Sequence, residues 1–248
     1  MRPWLFAVAL LLSGSAFSQD YEREQRWAAE VVPNLVVGDA VRLKLPSGRE
    51  FLGLYTENKA AKYAILLVHG IGVHPDHGVI GILRASLADL GYATLSIQMP
   101  VERADAATDE YFPALFPEAA ARIHAGADWL VRKGYTGELR RPVLLSHSMG
   151  SWMSNVYFER MPGAPFAAWI CLGRSGPFSG LGGAKIPLLD VYGEKDLPNV
   201  LRADWRRKVT LDGIPGSRQL MIPAADHHYT GREKELAAAI RDFIASIK

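Results

Sequence analysis

Residues Val143-Leu144-Leu145-Ser146-His147-Ser148-Met149-Gly150 limit what this chain can fold into more sharply than any other stretch. An apolar run ends in a small residue. An x-Ser-x-Gly turn follows, and then a helix-like segment over residues 151–160. Strand, sharp turn and helix in that order expose a serine Oγ above the end of a sheet, the arrangement called a nucleophile elbow. Small residues at Ser146 and Gly150 let strand and helix backbones pass close together at such a strained turn. The usual pattern carries glycine at the first small position, where this chain has Ser146. Five residues alone also fit a chance serine-rich turn, so the remainder of the chain must supply the serine's partners.

The flanking pattern predicts one large α/β domain. Val41-Arg42-Leu43-Lys44-Leu45 alternates strictly, Pro46-Ser47-Gly48 marks a turn, and Phe51-Leu52-Gly53-Leu54-Tyr55 returns, which predicts an edge β-hairpin. Tyr63-Ala64-Ile65-Leu66-Leu67-Val68 is almost wholly apolar, as a parallel strand covered on both faces must be. A helix over 79–90, a strand over 92–97 and a helix over 117–133 follow, the last with Pro117 at its start and Gly134 just past its end. Beyond the elbow come strands over 166–172, 186–191 and 220–222 and a closing helix over 232–247. Alternating strands and helices mean a mostly parallel, doubly wound sheet with helices on both faces. The 248 residues, 49% hydrophobic and 22% charged, suffice for one sizeable core. A formal net charge of +2, with no run of basic residues, argues against a nucleic-acid partner.

The start of the chain reads as a secretory signal peptide over residues 1–18. Arg2 supplies charge, residues 4–12 are apolar, and Ser13-Gly14-Ser15-Ala16-Phe17-Ser18 is small, with Ala16 and Ser18 fitting the cleavage rule. The apolar core is too short for a stable bilayer span. The expected organisation is thus a signal peptide at 1–18 and a single domain at 19–248, exported to the periplasm or beyond, with no stable membrane span once the signal is removed. Residues 21–32 predict an amphipathic surface helix stopped by Pro33. The lone Cys171 has no disulfide partner and reads as a core hydrophobe.

In sheets of this kind ligands bind at the carboxyl ends of strands. Residues at those ends include His69-Gly70-Ile71-Gly72, Ser148, Gly193-Glu194-Lys195-Asp196 and Asp226-His227-His228. Serine, acid and histidine fall in the order Ser148, Asp196, His227. Leu67-Val68-His69-Gly70, Ser146-His147-Ser148-Met149-Gly150, Tyr192-Gly193-Glu194-Lys195-Asp196 and Ala224-Ala225-Asp226-His227 together resemble the signatures of the α/β-hydrolase superfamily, over roughly residues 41–248. More narrowly, His74-Pro75-Asp76-His77-Gly78 and Thr94-Leu95-Ser96-Ile97-Gln98-Met99-Pro100 resemble an uncharacterised bacterial exported branch with no established substrate.

That resemblance implies an α/β-hydrolase fold and a serine hydrolase cleaving an ester, thioester or related acyl bond. Ser148 is the implied nucleophile, His227 its base and Asp196 the residue that orients the base. The implied oxyanion donors are the backbone N–H groups of Met149 and Ile71. Asp190 is the competing acid, placed inside a strand. His228 is the competing base, but the superfamily pattern of small-small-Asp before the histidine and an aromatic two residues later selects His227, with Tyr229 as the aromatic.

His69, Tyr111 and Phe112 are the expected substrate contacts, the latter two in a covering loop over 101–116. His147 should point away from the serine Oγ, and His124 reads as structural. The expected partner is a small acyl substrate, without cofactor or metal. His69, His74, Asp76 and His77 crowd one loop, but their spacing matches no closed zinc site. The rival function is a catalytically silent hydrolase-fold protein that binds an envelope ligand. A fluorophosphonate probe separates the two, because it labels only an activated serine.

Overall fold

The computed structural model describes residues 19–104, 112–137, 140–179, 181 and 186–247. The expected signal peptide at 1–18 and Tyr111 lie outside the described residues, as does the side chain of Phe112. Eight strands form one sheet in the order β1-β2-β4-β3-β5-β6-β7-β8. The strands are β1 (Asp39–Lys44), β2 (Glu50–Thr56), β3 (Tyr63–Val68), β4 (Ala93–Ile97), β5 (Arg141–His147), β6 (Trp169–Leu172), β7 (Leu188–Lys195) and β8 (Arg218–Asp226). β1 and β2 form the expected antiparallel hairpin, and β2 runs antiparallel to β4. Every pair from β4 through β3 to β8 is parallel.

Side-chain alternation divides the core. Leu66, Val68, Leu95, Ile97 and Leu144 face one layer, where α3 (Phe112–Arg132) and α4 (Met149–Arg160) bring Ile123, Leu130, Tyr157 and Phe158. Ile65, Leu67, Val143 and Leu145 face the other, against Leu83 and Leu87 of α2 (Gly78–Asp89) and Ile240 and Phe243 of α7 (Glu233–Ala245). All six residues of β3 are buried, which explains its unbroken apolar sequence. Each such aliphatic side chain contributes roughly 1.5–3 kcal/mol by leaving water. The short helices α5 (Pro198–Arg202) and α6 (Asp204–Asp212) follow β7.

Two expectations need correction. α3 begins at Phe112, not Pro117, and so absorbs the end of the segment expected as a covering loop. Pro117 is the sixth residue of this helix and costs it one bond, to the carbonyl of Pro113. α1 (Tyr21–Val31) is also more than a surface helix. Its Ala28 and Val31 pack on Leu52 and Leu54 of β2, and its Glu24 is buried.

Candidate active site

The elbow forms where β5 ends and α4 begins. Ser148 sits there at φ 54° and ψ −121°, a left-handed conformation that side-chain-bearing residues rarely hold. Its N–H donates to the carbonyl of Leu172 on neighbouring β6, 2.8 Å away. Gly150 is required: a Cβ there would lie 2.5 Å from the carbonyl oxygen of His69. At Ser146 the extra hydroxyl is accommodated, since its Oγ accepts from Trp169 Nε1 at 2.7 Å. Met149 opens α4, so its N–H is one of the first four with no acceptor in the helix.

β7 and β8 bring the partners. Ser148 Oγ lies 2.9 Å from His227 Nε2, and His227 Nδ1 lies 2.6 Å from Asp196 Oδ1. Asp196 also accepts from the N–H of Leu197 at 2.7 Å and of Gly193 at 3.1 Å. Burial alone would raise its pKa. The hydrogen bonds from His227, Gly193 and Leu197 outweigh that and hold the carboxyl below its usual range. An ionised Asp196 accepting from Nδ1 leaves Nε2 as an acceptor aimed at the serine hydroxyl. Gly173 makes room for the imidazole, because a Cβ there would lie 2.9 Å from His227 Cε1.

The rivals for these places are engaged elsewhere. Asp190 is wholly buried and paired with Arg207 Nε at 2.8 Å. His228 is exposed, its N–H held by Asp226 Oδ1 at 2.9 Å. Tyr229 is buried, its hydroxyl donating to the carbonyl of Val191 at 2.9 Å.

Two further histidines support the frame. His147, beneath the elbow, donates from Nε2 to the carbonyl of His227 at 2.9 Å. Burial, and then the neighbouring His227, push its pKa down to about 4. His69 corrects the expectation of a substrate contact: it is 1% exposed and does not line the cleft. Its Nε2 accepts from the N–H of Met99 at 2.9 Å, which leaves the proton on Nδ1 to donate to the carbonyl of Gly70 at 2.8 Å. That carbonyl shares a peptide plane with the N–H of Ile71, so anchoring one orients the other. A Cβ on Gly70 would lie 3.3 Å from Ser148 Cβ, which brings this loop against the serine.

A cleft of about 410 Å³ opens above Ser148 and His227. Ile71 and Met149 line it, with Pro113, Phe116, Trp152, Leu197 and Val200 as apolar walls. Phe116 therefore supplies from α3 the aromatic wall expected of a loop. Trp152 escaped the sequence reading, although it lies one helical turn beyond Ser148, where a side chain covers the same face. Its Nε1 donates to Ser175 Oγ at 3.1 Å, and the Arg174 guanidinium stacks on its ring at 4.2 Å.

Around His74 and His77, Asp76 binds Arg84 at 2.7 Å, and among the described residues no three His, Cys, Asp or Glu converge on one point. His124 lies 3.4 Å from Asp128, one turn along α3. Cys171 is fully buried, and burial pushes its thiol up to about 12. No helix among the described residues is long and apolar enough to cross a membrane.

The fold has an α/β-hydrolase architecture, which solved structures share. Dienelactone hydrolase from Anabaena variabilis matches with a TM-score of 0.67 at 20% identity, covering 84% of this chain and 96% of that one. An α/β serine hydrolase without lid from Xanthomonas campestris matches with a TM-score of 0.63 at 15% identity, covering 85% and 94%. Est1E from Butyrivibrio proteoclasticus matches with a TM-score of 0.61 at 15% identity, covering 83% and 97%. At the level of sequence, residues 21–128 match a family described as a protein of unknown function, DUF3530. That span holds α1, the His69–Gly70–Ile71–Gly72 loop and most of α3, and ends before Ser148. No curated protein matches the chain.

Proposed function

We propose that this protein is a serine hydrolase that cleaves an ester, thioester or related acyl bond through an acyl-enzyme. The observation that carries the reading is the relay of 2.9 Å and 2.6 Å from Ser148 through His227 to Asp196, opening on an apolar cleft. A serine hydroxyl is a poor nucleophile until a base accepts its proton. His227 Nε2 takes that proton as Oγ attacks the acyl carbon, and Asp196 stabilises the imidazolium that results. The negative charge moves to the former carbonyl oxygen, where the N–H groups of Met149 and Ile71 receive it. His227 then protonates the leaving group. Water, activated by the same histidine, releases the acid.

The cleft's size, at the low end for small-molecule sites, fits short to medium acyl chains. We propose further that residues 1–18 direct export to the bacterial periplasm or beyond and are removed. Mass spectrometry of the N-terminus in an envelope fraction tests this; an intact Met1 in cytosolic protein overturns it.

The decisive experiment treats purified residues 19–248 with a fluorophosphonate probe and a p-nitrophenyl ester series from acetyl to palmitoyl. The expected result is labelling at Ser148 and rates that peak at short or medium chains. Absence of both labelling and turnover overturns the hydrolase reading in favour of a silent binding protein. Rates that climb steadily to palmitoyl overturn the chain-length reading alone.

A further inference from the structure

The loop that carries Ile71 is held at the carbonyls of Gly70, Gly72 and Val73, the last accepting from Gln98 Nε2 at 3.3 Å. His69 anchors Gly70 from within the sheet. The anchor at Gly72 comes from α1. Arg23 donates from Nη2 to the carbonyl of Gly72 at 3.4 Å and from Nη1 to the carbonyl of Glu102 at 3.1 Å. Its guanidinium stacks over Trp27 at 4.6 Å, and Trp27 meets His74, further along the same loop, edge-on at 5.9 Å.

α1 is itself fixed. Arg122, fully buried on α3, donates to Glu24 Oε2 at 2.9 Å, to the carbonyl of Gln98 at 2.9 Å and to Glu118 Oε1 at 2.7 Å. Tyr21 donates to Glu118 Oε2 at 2.6 Å, and the N–H of Asp20 donates to the carbonyl of Val101 at 2.8 Å. The position of Arg23 is thus set by contacts of α1 with α3 and with the segment after β4.

The loop needs such a hold. Gly72 is left-handed at φ +65°, where glycine has wide freedom. The Ile71 side chain is 47% exposed, so its own packing does little to fix the backbone. A donor that stabilises developing charge is effective only if it is oriented before the charge appears.

We propose that Arg23 is a positioning residue: by holding Gly72 it keeps the Ile71 N–H turned toward Ser148, which makes α1 a working part of the site. The inference rests on the hydrolase reading, and Arg23 touches no reacting atom in it. Losing an oxyanion donor outright costs ~100-fold or more in kcat, so misaligning one should cost about tenfold.

The test compares the wild type with Arg23→Ala and Arg23→Lys on p-nitrophenyl butyrate, with thermal midpoints recorded alongside. Arg26→Ala serves as control, since Arg26 lies on the same helix with its side chain 60% exposed. The expected result is a kcat lower by about tenfold in Arg23→Ala with KM within about twofold, and partial recovery on adding methylguanidinium. Arg23→Lys should fall between, because an ammonium is one point donor where the guanidinium serves two carbonyls. If Arg23→Ala does not fold, Arg23→Lys carries the comparison. An active wild type whose Arg23 variants keep full kcat overturns the proposal alone. So does a kcat loss that follows a fallen midpoint and is not rescued by methylguanidinium. A wild type that neither hydrolyses nor takes the fluorophosphonate overturns the hydrolase reading, and this proposal with it.

Discussion

His147 Nε2 and the carbonyl oxygen of His227 lie 2.9 Å apart, so the residue just before Ser148 holds the backbone of the residue that faces it. The two imidazole rings sit 4.9 Å apart at 40°. Strand β5 therefore ends in the strut that sets the depth of His227 and leads directly into Ser148. His147→Ala should lower kcat/KM on an activated ester by up to ~100-fold, the cost of misplacing a reacting group by about 1 Å. His147→Asn keeps a donor and should lose less. Equal rates for wild type and His147→Ala would show that the loop holds itself.

Ser148→Ala should remove ester hydrolysis almost entirely, since loss of a triad nucleophile costs on the order of a million-fold in kcat. Ser148→Gly should be equally inactive and more stable. Backbone strain at φ 54° is worth about 1–3 kcal/mol, and glycine relieves it while giving back ~1 kcal/mol through a freer unfolded chain. Urea midpoints of the two variants check this. A Ser148→Gly protein less stable than Ser148→Ala would mean that the turn is unstrained.

His227→Ala and His228→Ala separate two adjacent imidazoles. His227 contacts Ser148 and Asp196, whereas His228 is exposed. We expect a loss of at least ~3 orders of magnitude in kcat/KM for the first and a far smaller one for the second. A larger loss at His228 would overturn the assignment of the base.

Acid should destabilise the fold well above the carboxylate range. Burial pushes His69 down to about 3, and burial together with His227 pushes His147 down to about 4. In the unfolded chain both titrate near 6.5. Between those values the unfolded state binds the extra protons, so stability falls as pH drops, by about 1.4 kcal/mol per pH unit for each histidine. The loss begins below about pH 6.5 and ends, for each group, at its folded value. Urea unfolding from pH 7 to 4.5 should show this slope, and His147→Gln should remove the share of that histidine, about 1.4 kcal/mol per pH unit. An unchanged slope in that variant would refute the buried, neutral assignment of His147.

Much of this molecule is legible in the sequence where a local pattern and its structural cause coincide. The apolar run of β3 has the bounds read from it, because a strand buried on both faces favours apolar residues throughout. Ser148, Asp196 and His227 stand out in the sequence because each follows a strand, and the structure brings their side chains within hydrogen-bond distance. What stayed hidden depends on long-range partners. Glu24 and Arg122 look like ordinary helix-surface charges, and only the fold brings residues 98 positions apart into one buried pair. His69 reads as a ligand contact because its strand end faces the cleft, yet the N–H of Met99 draws its ring inward. The start of α3 was obscured by Pro117, which usually opens a helix but here sits inside one.

The histidine that faces Ser148 follows the last and outermost strand of the sheet, 79 residues beyond the serine. β8 touches only β7 within the sheet, and Asp196 at the end of β7 meets His227 only when that pairing is in place. The backbone of Ser148 is tied to β6 through the carbonyl of Leu172, whereas His227 reaches it only from the edge of the sheet. On the hydrolase reading proposed above, a molecule whose outer strand and closing helix have come loose would be inert, so a covalent probe at Ser148 would count completed molecules rather than merely compact ones.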